Sequence, residues 1–238
     1  SFDSINPDDY TAGFPMHPHR GIETISYVSR GKMVHRDSLG NEAGISDGEV
    51  QWMNSGSGIM HEEMVPAAER LLGVQLWLNL PAKDKMSKPS YNSIKNEDIK
   101  EIEIEGGKIR LLAGKYGEHE GYKGDYLSMD YYDIHLNADA EVTLTMEEDD
   151  SVMVFTLLGD VYIDGEHIEE KTAVKLTEGD SLTIKNGNEK AQVLYMNSRA
   201  LNEPVAWAGP IVMNTQEELQ KAFLELRSNT FIKETAEY

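Results

Sequence analysis

The sequence predicts an all-β chain of two antiparallel β-barrels followed by one C-terminal helix. Three observations carry that expectation. Short runs of strand composition recur between dense glycine turns. The segment Gly159-Asp160-Val161-Tyr162-Ile163, then Glu178-Gly179-Asp180-Ser181, echoes Gly31-Lys32-Met33-Val34-His35, then Asp47-Gly48-Glu49-Val50, as if one barrel module occurs twice. Clear helical spacing comes only at the end, where Leu219, Ala222, Phe223 and Leu226 follow a capping box at Thr215-Gln216-Glu217-Glu218.

Residues 1–12 are polar and turn-rich and read as loop. Gly13 and Pro15 lead into the cluster Met16-His17-Pro18-His19-Arg20-Gly21. Glu23 to Val28 has strand composition and ends at Gly31. Lys32 to Asp37 alternates as a further strand, and Leu39-Gly40-Asn41 is a turn. Gly48 opens a strand through Met53. The glycine-rich loop Asn54 to Gly58 then delivers a second cluster, Ile59-Met60-His61-Glu62-Glu63-Met64. Leu71 to Leu80 is a near-continuous apolar strand ended by Pro81. Residues 82–100 read as a charged connector, which sets the first barrel at 1–100. Ile102 to Ala113, Tyr126 to Leu136, Glu141 to Met146, Ser151 to Leu158, Val161 to Ile163 and Ser181 to Ile184 supply the strands of a second barrel at 101–210. Residues 211–238 are the helix, from about 215 to 227, and a tail packing back on the barrels.

The formal net charge is −20, from 22 Lys+Arg against 42 Asp+Glu. No basic face is evident, which argues against direct binding to nucleic acid. No apolar run approaches the length of a membrane span, and no N-terminal signal pattern is visible. The absence of cysteine removes disulfides, thiolate ligands and cysteine nucleophiles together, and is compatible with a reducing cytoplasm, the expected compartment.

The chemistry concentrates in the two clusters. Each places metal-capable side chains at i and i+2: His17 and His19 in one, His61 and Glu63 in the other. On a strand such residues share a face, roughly 6.6 Å apart. If the two strands are neighbours, three imidazoles and a carboxylate converge, leaving a divalent ion open positions for substrate. Iron(II), manganese, nickel, copper and zinc all accept such ligands. Glu63 shares the face of His61, whereas Glu62 points away; Glu23, four residues after His19, can reach either the metal or an imidazole N–H. Pro18 removes a ladder donor, so its strand belongs at a sheet edge. His35, His119, His135 and His167 lack a partner at metal spacing and read as structural.

The segments GFPMHPHRGIETISYV, DSLGN, GEVQWMNSGSGIMHEEM, QLWLNL and GPIVMNTQEEL closely resemble the pirin family of the cupin superfamily, over about residues 13–226. The resemblance implies a bicupin, two jelly-roll barrels with the metal in the first and a metal-free second. It implies His17, His19, His61 and Glu63 as ligands and one divalent transition metal, iron(II) foremost. Two departures from the general cupin pattern are visible. Asn54 stands where a proline is usual, and Glu23 falls at the carboxylate of the general first motif, which pirins leave unused. The activity implied is a quercetin 2,3-dioxygenase-like cleavage of flavonols, with a small aromatic substrate and O2 as reactants. Glu63 would take the substrate proton, and Trp52, Met53 and Met60 would line an apolar pocket. The alternative is a non-catalytic metal- or redox-sensing module with protein partners. The fold also hosts other small-molecule reactions.

Overall fold

Alternating side chains shape the first part of the chain into two facing sheets. Its strands are β1 (Phe2–Ser4), β2 (Phe14–His19), β3 (Ile22–Arg30), β4 (Lys32–Asp37), β5 (Glu42–Ser46), β6 (Glu49–Asn54), β7 (Ile59–Met64), β8 (Leu71–Asn79) and β9 (Ser90–Ile94). The computed structural model describes residues 1–177 and 179–234; Glu178, part of the internal echo, and the last four residues of the expected tail lie outside them. One sheet has the order β1-β8-β3-β6-β9 and the other β2-β7-β4-β5, with antiparallel pairing throughout. The alternation is plain in β7, where Ile59, His61 and Glu63 are buried and Met60, Glu62 and Met64 are not. In contrast, β3 is covered on both sides and stays buried from Ile22 to Ser29.

Two stretches read as irregular are built into this unit. Phe2–Ser4 pairs with β8, and Phe2 packs on the cluster of Tyr10, Val28, Met33, Ile45, Val65 and Leu71. Ser90–Ile94, inside the expected connector, pairs with β6 along its whole length. Both segments are short and polar, and the sheet edge rather than their own composition makes them strands.

The second unit spans Asn96–Leu201, while the chain from Asn202 onward returns to the first. Its strands are β10 (Lys100–Ile104), β11 (Gly107–Ala113), β12 (Lys115–Tyr116), β13 (His119–Glu120), β14 (Met129–Leu136), β15 (Glu141–Thr145), β16 (Asp150–Leu158), β17 (Val161–Ile163), β18 (Glu166–Ile168), β19 (Ala173–Lys175), β20 (Ser181–Asn186) and β21 (Ala191–Arg199). They form a sheet β10-β11-β14-β21-β16-β19, a sheet β15-β20-β17-β18 and the small pair β12-β13. The echo around Gly31 and Gly159 is structural: β4 lies between β7 and β5, and β17 lies between β20 and β18. The echo at Gly48 and Gly179 is not. The first leads into β6, paired with β3 and β9, and the second into β20, paired with β15 and β17.

The returning segment forms the hairpin β22 (Ala206–Ala208) and β23 (Ile211–Met213), then α1 (Gln216–Arg227). Thr215 caps α1, its hydroxyl accepting from Glu218 N while the Glu218 side chain accepts from the Thr215 backbone N–H. Leu219 and Ala222 pack with Ala206, Ile211, Met213 and Phe231. Two buried cations fasten this segment to the first barrel. Arg20 donates to Ser57 O and Phe231 O and pairs with Glu225 at 2.8 Å. Lys85 donates to Gly21 O at 2.8 Å, Val212 O at 3.0 Å and Asn79 Oδ1; burial lowers its pKa to about 8. Gly21 is required there, with φ of +78° and a position where a Cβ would lie 2.0 Å from Val212 O. Among the described residues no helix is long and apolar enough to cross a membrane.

Candidate metal centre

Register brings the two clusters together. β2 pairs with β7 so that His17 lies directly opposite His61, with His19 opposite Ile59. β2 is the edge strand that Pro18 calls for, and its pairing is shifted between Phe14 and His17. One nitrogen from each of His17, His19 and His61 falls within 4.8 Å of the others. The ring centroids of His17 and His61 are 4.3 Å apart.

Each ring is oriented through its other nitrogen. His17 Nδ1 meets Pro15 O at 2.8 Å, and His19 Nδ1 meets Pro210 O at 3.1 Å. A carbonyl only accepts, so in both rings Nδ1 carries a proton, and in the neutral ring Nε2 holds a lone pair. The two Nε2 atoms nevertheless stand 3.1 Å apart. His61 is set by a longer chain. Asp37 Oδ2 accepts from His35 Nε2 at 2.8 Å, which leaves His35 Nδ1 to accept from His61 Nδ1 at 3.4 Å. His61 Nε2 is buried and, among the described residues, has no hydrogen-bond partner.

In these neutral tautomers three lone pairs face one another. Three imidazole nitrogens so converged fit a divalent metal. Burial, and then the nearby His17, lowers the His19 pKa to about 4. The same burial, with His17, His19 and His35 around it, drives His61 further down. Both rings are therefore neutral at neutral pH, as ligation requires. Burial alone would raise the Asp37 carboxyl, but hydrogen bonds from His35, Asn41 and Leu39 N hold it below its usual range.

Glu63 lies outside the three-nitrogen group. Its carboxylate is buried and held by neutral donors: Gln51 Nε2 at 2.8 Å, Gln75 Nε2 at 3.1 Å to each oxygen, and Ser26 Oγ at 3.3 Å. Gly13, with φ of +61°, sits where a Cβ would come within 2.4 Å of Glu63 O, so glycine lets the chain pass close to β7. The structure places Glu23 on the face of β3 opposite Ser26, accepting from Trp52 Nε1 at 2.9 Å. Trp52, 2 % exposed, shares that face. Met60 is on the outward side of β7, and Met53 is fully buried on the Gln51 face of β6, opposite Tyr91.

Several neighbours of the histidines escaped the sequence reading. His35, read as structural, supplies no atom to the ligand group but touches His61, and Tyr91 stacks on it at 4.1 Å. Its partner Asp37 repeats the i, i+2 spacing of the two clusters, which was the available signal. Gln51, Gln75 and Pro210 had none, because they come from distant strands and from the returning segment.

Comparison with known proteins decides the family. The pirin model matches residues 1–78, and the model of the pirin C-terminal cupin domain matches residues 131–232. The chain belongs to the pirin family. A Thermoplasma acidophilum protein, named provisionally as a quercetin 2,3-dioxygenase, is 36% identical over 253 residues, covering 98% of this chain and 97% of that protein. Human pirin is 36% identical over 226 residues, covering 91% of this chain and 77% of its own length. A crystal structure of quercetin 2,3-dioxygenase from Acinetobacter baumannii superimposes with a TM-score of 0.85 at 34% identity, over 92% of this chain and 79% of that one. The bicupin architecture of pirins is therefore that of this chain as well.

Proposed function

We propose that this pirin is a metal-dependent dioxygenase that cleaves flavonols such as quercetin. The convergence of three imidazole nitrogens, one of them two residues from a buried carboxylate, carries the reading. Similarity to a structure named as a quercetin 2,3-dioxygenase supports the substrate class. His17, His19 and His61 would hold the ion, iron(II) foremost, with Glu63 as the fourth ligand the family resemblance implies. When bound, the metal supplies a Lewis acid that favours the anion of the substrate's 3-hydroxyl and a centre for reaction with O2. Glu63 takes the hydroxyl proton, and Gln51, Gln75 and Ser26 fix the direction from which it does so. The anionic ring then reacts with O2, opens and releases carbon monoxide. Burial of His61 and Glu63 keeps bulk water from the reacting atoms.

Oxygen uptake with quercetin, after loading with iron(II), tests the proposal, with His61→Ala and Glu63→Ala in parallel. Metal-dependent uptake lost in both variants is the expected result. No uptake by protein holding one tight ion per chain would overturn it and favour the non-catalytic sensor, with partner binding as the next measurement.

A further inference from the structure

Trp77 has no part in the reaction as described, yet its surroundings single it out. Gln75 and Trp77 are two residues apart on β8 and share a face; since Gln75 reaches Glu63, that face is the barrel interior. Trp77 stands perpendicular to the His19 ring, with centroids 5.2 Å apart and an interplanar angle of 83°. It is 40% exposed, whereas Trp52, two strands away on the opposite face of the same sheet, is 2% exposed. A large aromatic side chain that abuts a ligand imidazole and stays open to solvent offers a surface for another flat ring.

Its N–H leads inward. Trp77 Nε1 donates to Gln75 Oε1 at 3.3 Å. With its carbonyl so held, the Gln75 amide presents its NH2 to both Glu63 oxygens and to Ser26 Oγ at 3.0 Å. A flipped amide would set its oxygen against the carboxylate, so the indole N–H and the carboxylate each favour the same orientation. The chain from solvent to the acid–base group is Trp77, Gln75, Glu63.

We propose that Trp77 is a positioning residue of this site with two separable parts. Its ring takes the planar aromatic portion of the substrate beside His19. Its N–H, through Gln75, holds the Glu63 carboxylate where it meets the substrate's acidic hydroxyl. The inference rests on the planar aromatic substrate proposed above.

The experiment uses the full chain loaded with iron(II), with metal content measured for every variant. Quercetin affinity is measured anaerobically by calorimetry, and kcat and KM by oxygen uptake. Trp77→Phe keeps a ring and removes the N–H; its Kd and KM stay within about threefold of wild type, while kcat falls about tenfold or more, the range that loss of a positioned acid–base group allows. Gln75→Leu shows the same split. Trp77→Ala loses both parts, and its Kd rises roughly two- to twelvefold, the range of one aromatic pair. Unchanged quercetin affinity in Trp77→Ala overturns the first part, and unchanged kcat in Trp77→Phe overturns the second. Absence of quercetin binding to wild type would overturn the proposed function, and this inference with it, and is distinct from either result.

Discussion

Strands β2, β4 and β7 of the first barrel and β15, β17 and β20 of the second hold the same places in sheets of the same order, β2-β7-β4-β5 and β15-β20-β17-β18. The inward positions differ in kind, although Met33 and Ile59 of the first are apolar. In the first they include His17, His19, His35, Asp37, His61 and Glu63. In the second they are Val142, Leu144, Val161, Ile163, Leu182 and Ile184, all within one apolar cluster that also takes in Ile109, Ile134, Val154 and Val193. Backbone pairing is indifferent to this choice, because only every second side chain enters the barrel. What differs is how each interior is satisfied. The aliphatic one needs only close packing. The polar one needs partners for its donors and acceptors, and it finds most of them in His35–Asp37, in Gln51 and Gln75 on Glu63, and in backbone carbonyls on two histidines, while His61 Nε2 stays open toward His17 and His19.

The contrast can be broken at either barrel. The largest effect is expected for His61→Ala, which removes a ligand from the polar interior; metal analysis should show occupancy falling from about one ion per chain to none. Ile184→Ala, in the aliphatic interior, should cost about 2–5 kcal/mol by denaturant midpoint and leave metal occupancy unchanged. Loss of metal there would mean that the barrels are not chemically separate. Asp37→Asn keeps shape but no longer obliges His35 to donate; chelator competition should show metal affinity weakened about 10–100-fold. Unchanged affinity would show that His35 does not set the His61 tautomer. Smallest is Thr215→Ala, expected to lower stability by about 1 kcal/mol through its capping box without altering the metal content.

The convergence of His17, His19 and His61 was legible because each cluster is local. Two residues at i and i+2 on a strand share a face whatever the rest of the chain does, and only the pairing of β2 with β7 had to be supplied. The helix was legible for the same reason: its cap and apolar stripe are both short-range. The pocket was not. Trp52 looked available because it is large and near the second cluster, but β6 turns it away from Glu63 and towards Glu23. Trp77 and Gln75 lay hidden in an apparently uniform apolar run, where the alternation of Gln75 and Trp77 with Val74 and Leu76 is the sole clue. Phe2–Ser4 and Ser90–Ile94 carry little strand character of their own, and become strands because β8 and β6 present open edges.

The hydrogen bond from His19 Nδ1 to Pro210 O joins residues 191 apart in sequence. It sets an order of events during synthesis. A ribosome that has delivered every ligand still has to translate the whole second barrel before Pro210 exists. Until the C-terminal segment emerges and docks, held by Arg20 and Lys85, the His19 ring lacks the carbonyl that fixes its tautomer. The three histidines are therefore in the nascent chain long before the carbonyl that orients His19, and a chain cut short of Pro210 carries them without it.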